Sequence, residues 1–208
     1  KEIKKLKVDF KVLTQRKKFV VNNYILDVVG AASGTLDKLI IPSIFGFVLL
    51  GNYQLAQQFF LILIIIPAIV FQYILPHDST GNSNKKLKKG VIIFSVISAV
   101  LGIILAPILV PMFFIEFKES INLIQIISLA IIPSTITMTL TSKFLGMDKS
   151  KIVVVSSGIF LSIQISLIFI LGNIFGINGA AMALVIANSS QAVFLLMAER
   201  SLQMKQNQ

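Results

Sequence analysis

The residues best suited to chemistry stand near one end of the chain: Asn23, Asp27, Gly30, Gly34 and Asp37 recur at alternating steps of four and three. Since a helix turns about 100° per residue, that spacing gathers them on one helical face. They sit in an apolar stretch, residues 19–45, long enough to cross a bilayer. A carboxylate in mid-membrane costs about 2.5–3.5 kcal/mol, so Asp27 and Asp37 are expected to face a bundle interior or a wet cavity. For Asp37, near the end of the stretch, local pairing with Lys38 close to the outer interface is an equal expectation. Asp27 lies deeper and is expected to serve a transport pathway, with a buried structural hydrogen bond as the alternative.

Weaker polar stripes follow. Gln54 and Gln58 share a face with Gln57 alongside; Gln125, Ser128, Thr135, Thr139 and Ser142 keep a helical period; Asn188 and Gln191 are three apart. Neutral groups of this kind commonly bond neighbouring membrane helices for about 0.6–2 kcal/mol, which is the plainer reading of each stripe. Lys38 is the only basic residue inside an apolar stretch. The candidate pathway set is therefore Asn23, Asp27, Asp37, Lys38, Gln57 and Gln58.

Catalysis is not expected. Cysteine is absent, the single histidine, His77, stands beside Asp78 in a connecting segment, and no nucleophile and base pair, metal-ligand cluster or glycine-rich phosphate loop is recognisable. No cofactor and no metal is called for.

The elements that must carry these residues are set by composition: 55% of residues are hydrophobic and 13% charged, against about 25% charged in ordinary soluble domains. Six apolar stretches, at 19–45, 54–75, 90–114, 121–142, 151–172 and 178–198, are each long enough for one crossing. Each should be helical, since a lone segment in lipid must satisfy its own backbone hydrogen bonds. The expected architecture is an all-α integral membrane protein with a six-helix transmembrane bundle at 19–198. A basic interfacial segment at 1–18 precedes it, in which Ile3, Leu6, Phe10 and Leu13 suggest an amphipathic helix, and a tail at 199–208 follows. Pro67, Pro107, Pro111 and Pro133 are expected to kink the spans.

The net charge of +10 is spent on orientation, not on nucleic acid. Lysine and arginine crowd the leading segment, the connection at Lys85, Lys86, Lys88 and Lys89, the connection at Lys143, Lys149 and Lys151, and the tail at Arg200 and Lys205. The intervening connections carry almost none. The positive-inside rule then puts both ends in the cytoplasm of a multi-pass cell-membrane protein. A start at Lys1, with no methionine or apolar signal region, reads as an internal or processed fragment.

Several motifs carry a resemblance. Asp37-Lys38-Leu39-Ile40-Ile41, Phe45-Gly46 and Leu50-Gly51-Asn52-Tyr53-Gln54-Leu55-Ala56 resemble the first helical pair in the C-terminal half of polysaccharide flippases of the MATE-like exporter superfamily. Leu75-Pro76-His77-Asp78-Ser79, Leu145-Gly146-Met147-Asp148-Lys149 and Gly176-Ile177-Asn178-Gly179-Ala180-Ala181 agree in order, covering nearly the whole chain beyond residue 19. The resemblance implies half of a twelve-helix transporter, two six-helix bundles around a cavity lined by the first helix here. It implies membrane lipid and a lipid-linked glycan as partners, flipped by alternating access for polysaccharide assembly, together with an N-terminal half that precedes this one. The pyrophosphate of such a lipid would want a cation, and Lys38 alone offers one within the spans. An ion-coupled multidrug exporter of the same fold, using H+ or Na+ at Asp27 and Asp37, is the first alternative. A non-transporting scaffold or an enzyme subunit is the second.

Overall fold

A computed structural model describes residues 17–80 and 84–206, with the backbone alone for Lys18, Phe19, Asn23, Ser33, Gly34, Lys205 and Gln206. The expected amphipathic segment at 1–16 lies outside the described residues. Helix is the only regular structure among them: α1 Lys17–Phe45, α2 Phe47–Ser79, α3 Lys85–Phe113, a 3-10 turn Ile115–Phe117, α4 Ser120–Ser128, α5 Ile131–Gly146, α6 Ser150–Phe175 and α7 Ile177–Gln206. With α4 and α5 forming one crossing, six helical segments have the length and composition to span a membrane.

The turns are tighter than the sequence suggests. The stretch expected to link the first two spans is helix, and Gly46 alone makes the turn, at φ 84° and ψ 169°. That backbone region is essentially reserved for glycine. Gly176 does the same between α6 and α7, at φ 60° and ψ −144°. The lysines at 85, 86, 88 and 89 lie on the opening turns of α3 and not in a loop. The Asn84 side chain caps that helix by accepting the Leu87 N–H at 3.0 Å.

The fourth span is broken where one continuous helix was expected. Pro133 has no N–H to give to the Leu129 carbonyl, and its ring crowds that carbonyl. The chain tightens there into i→i−3 bonds, Leu129 N to Ile126 O at 3.1 Å and Ala130 N to Ile127 O at 2.9 Å. Helical bonding resumes at Ser134 N to Ala130 O.

Polar contacts collect the helix ends. Lys88 on α3 reaches Asp78 on α2, Lys143 on α5 reaches Glu199 on α7, and Asn22 on α1 donates to Ser150 on α6. The α1, α3 and α6 beginnings and the α2, α5 and α7 endings therefore share one end of the bundle, the basic end. At the other end Phe45 packs on Gly172 and Phe117 on Gly51.

The α4–α5 crossing is the centre: 56% of its apolar window is buried, against 12% for α1. Leu123, Ile124, Ile127 and Ile131 are fully enclosed, while Leu61, Ile62, Ile65, Ile66 and Ile69 on α2 point outward as lipid-facing residues do. Lipid is as apolar as leucine, so close packing and hydrogen bonds must hold such helices together. Gly179 shows the packing: a Cβ there would run into the Leu171 carbonyl, so α6 and α7 approach backbone to backbone.

Candidate functional site

α1 packs on α2 and on α6, while α2 touches α7 only slightly. The gap this leaves between α2 and the α6–α7 pair, covered by α1, is a cavity of about 270 Å³. Asp37 and Lys38 come from α1, Gln54, Gln57 and Gln58 from α2, Gln164 from α6 and Asn188 from α7, with Phe60 and Phe160 among its apolar walls. At 1.5 Å per residue, Asp37, Gln57, Gln164 and Asn188 stand about 12–17 Å along their helices from the glycine-turn end. They are therefore well inside the helices and away from the turns.

Asp37 is buried, and neutral donors hold it. Its Oδ1 accepts the Lys38 backbone N–H at 2.9 Å, and its Oδ2 accepts a Gln57 Nε2–H at 3.2 Å. Gln57 also donates to the Tyr53 hydroxyl oxygen at 3.0 Å, and Tyr53 is fully buried. The expected pairing with Lys38 thus involves the backbone amide; the Lys38 ammonium is exposed and in no ion pair formed by the described residues. Asn188 accepts from Ser134 at 2.7 Å and donates to the Leu184 carbonyl, which fixes its rotamer at the cavity wall.

Gln164 is the buried wall residue with spare capacity: 3% exposed, it makes no hydrogen bond among the described residues. A primary amide is two donors and an acceptor with two lone pairs, and its burial unpaired is costly unless water or a ligand meets it. The cavity therefore presents amides, one carboxylate, the Lys38 ammonium and aromatic rings, a lining suited to water or to a small polyhydroxylated group.

No family model, curated protein or solved structure shows a significant match to the chain. The site stands on its own geometry.

Four of the six sequence candidates, Asp37, Lys38, Gln57 and Gln58, come together on this cavity. The side chain of Asn23 lies outside the described residues, and Asp27 is exposed on the outer face of α1 instead of turned into this bundle. Helical drift explains the split. Ten residues separate Asp27 from Asp37, which rotates them about 80° apart, onto opposite flanks of one stripe. The packed arc of α1, through Leu26, Val29, Ile40 and Ile41, includes the Asp37 flank only.

Three residues with structural or site roles escaped sequence reasoning. Gln164 is a lone amide in an apolar span, with no periodic partner to mark it. Asn22, not its neighbour Asn23, carries the described interhelical bond, to Ser150 at 3.0 Å. Asp78, beside His77 in what read as a connection, is buried at the end of α2; its Oδ2 takes Lys88 Nζ at 2.6 Å and Ser142 Oγ at 2.7 Å, and its Oδ1 has no partner among the described residues. Gly146 lies so close to the Asp78 backbone that a Cβ would stand 2.7 Å from its carbonyl carbon. Of the weaker stripes, Gln125, Ser142, Asn188 and Gln191 bond across helices, while Ser128, Thr135 and Thr139 bond their own turns.

Proposed function

We propose that this chain is one six-helix half of a twelve-helix transporter that carries lipid-linked oligosaccharide across the cell membrane by alternating access, with its basic end in the cytoplasm. The observation that carries the reading is the polar cavity around Asp37 and Gln164, because ionisable groups turned into the interior of a membrane bundle mark substrate and ion pathways. Its amides and its Phe60 and Phe160 rings suit the hydroxyls and apolar faces of a sugar. α1 supports the two-half arrangement. It is the least enclosed crossing and exposes Asp27, a carboxylate that lipid would not accept. The other half, docked on the outer face of α1, would place Asp27 between the halves and supply cations for the pyrophosphate beyond Lys38.

The buried Asp37 carboxylate also supports a second reading, an exporter of cationic drugs coupled to H+ or Na+. Reconstitution of the full-length protein in vesicles separates the two. Movement of a fluorescent lipid-linked oligosaccharide between leaflets, with no uptake of a cationic dye, is the expected result. Gradient-driven dye uptake without glycan movement would transfer the site to the exporter reading, and movement of neither would leave a scaffold or an enzyme subunit.

A further inference from the structure

A second cavity, of about 290 Å³, opens at the basic end between α3, α5 and α7. Its three walls share one polarity. On α3, Lys85 and Lys88 give way to Ile92; on α5, Lys143 gives way to Leu140 and Ile136; on α7, Gln203 and Glu199 give way to Leu196. Each series keeps to one helical face over a seven-residue step, about 10 Å of axis. The groove thus runs from a charged mouth to an apolar floor in the direction of the membrane interior.

The mouth keeps positive charge in hand. Lys88 is paired with Asp78 and Lys143 with Glu199, each at 2.6 Å, and Lys85 is in no ion pair among the described residues. Setting Lys85, Lys88 and Lys143 against Asp78 and Glu199 leaves one net positive charge, with Lys86 and Lys89 adjacent on the same helix. The paired ammonium groups each give one hydrogen bond to their carboxylate, so N–H donors remain on both. A soluble anion would use the rim alone and gain nothing from Ile92, Ile136, Leu140 and Leu196. An amphiphile uses both, and basic pockets between helices at a membrane surface are suited to anionic headgroups.

We propose that this groove holds an anionic phospholipid from the leaflet at the basic end, its phosphate at Lys85 and Lys143 and the start of an acyl chain along Ile92, Ile136 and Leu196. The lipid braces α3 against α5 and α7. The inference needs only a chain embedded in a bilayer, and it stands whether or not the transported substrate is a glycan.

The test uses the full-length protein in phosphatidylcholine nanodiscs doped with either photoactivatable phosphatidylglycerol or photoactivatable phosphatidylcholine, the labelled peptides being identified by mass spectrometry. Phosphatidylglycerol should label the start of α3 and the end of α7 in preference to phosphatidylcholine. Lys85→Gln should cut that preference roughly fivefold, the worth of one lysine at a membrane surface, and adding Lys143→Gln should cut it further. Ile136→Trp, which fills the floor without touching charge, should reduce labelling by both lipids there, and it decides the matter if the double variant fails to fold. Equal labelling by the two lipids, or a preference unchanged by Lys85→Gln in a protein of wild-type thermal stability, would overturn the proposal in favour of ordinary boundary lipid. Full displacement of the label by inorganic phosphate would overturn it in favour of a soluble-anion site.

Discussion

Asp37 and Asp78 are both buried acids, and their partners assign them different work. Asp78 is closed in by an ammonium and a hydroxyl at the joint of α2, α3 and α5, with the backbone of Gly146 against it. Removing one partner of a buried ion pair strands the other, at about 3–5 kcal/mol, so Asp78→Ala should lower the unfolding temperature in detergent severely. Glu199→Gln breaks a pair whose side chains are 32% and 22% exposed, and should cost less than about 1 kcal/mol. Asp37→Asn keeps the shape and the acceptor for the Lys38 N–H, Gln57 can turn its amide to accept from the new Nδ2–H, and the change should be nearly as mild as Glu199→Gln. A ranking by thermal unfolding in which Asp37→Asn proved as damaging as Asp78→Ala would make Asp37 a structural residue.

At the scale of elements, the crossings could be read because uninterrupted apolar runs in a bilayer have helix as their one available state. The turns were much less legible. Backbone torsion at a single glycine, Gly46 or Gly176, replaces the loop that length and polarity suggested, and composition carries no signal for it. The break at Leu129–Ala130 was foreshadowed by Pro133, but whether a proline bends a helix or splits it depends on the local bonding. The polar stripe of α1 was legible as a stripe, yet drift between Asp27 and Asp37 decides which flank is buried, and only packing sets that. Gln164 stayed hidden for the same reason. These close approaches make a testable pair. Gly179→Ala should destabilise by about 1–3 kcal/mol through overpacking. Gly158→Ala, with nothing within 4 Å of the new methyl, should be neutral or slightly stabilising because alanine favours helix. Equal unfolding temperatures for the two variants would contradict the α6–α7 contact.

At the scale of the whole molecule, orientation comes first, and a chain without cysteine is ready for single-site labelling. Lys86→Cys and Lys149→Cys should be blocked only by permeant reagents in intact cells, and Phe47→Cys, at the glycine-turn end, should react with impermeant ones. Opposite sidedness for the two lysine sites would break the six-crossing bundle. The larger claim is that the cavity joining α1, α2, α6 and α7 is a transport path, and delivery of lipid-linked glycan to the outer leaflet tests it most directly. In the full-length protein at matched abundance, Asp37→Asn and Gln164→Leu should each lower delivery per molecule by about tenfold, the effect of losing roughly 1.4 kcal/mol of substrate or ion interaction. Delivery per molecule at the wild-type rate by both variants would contradict it.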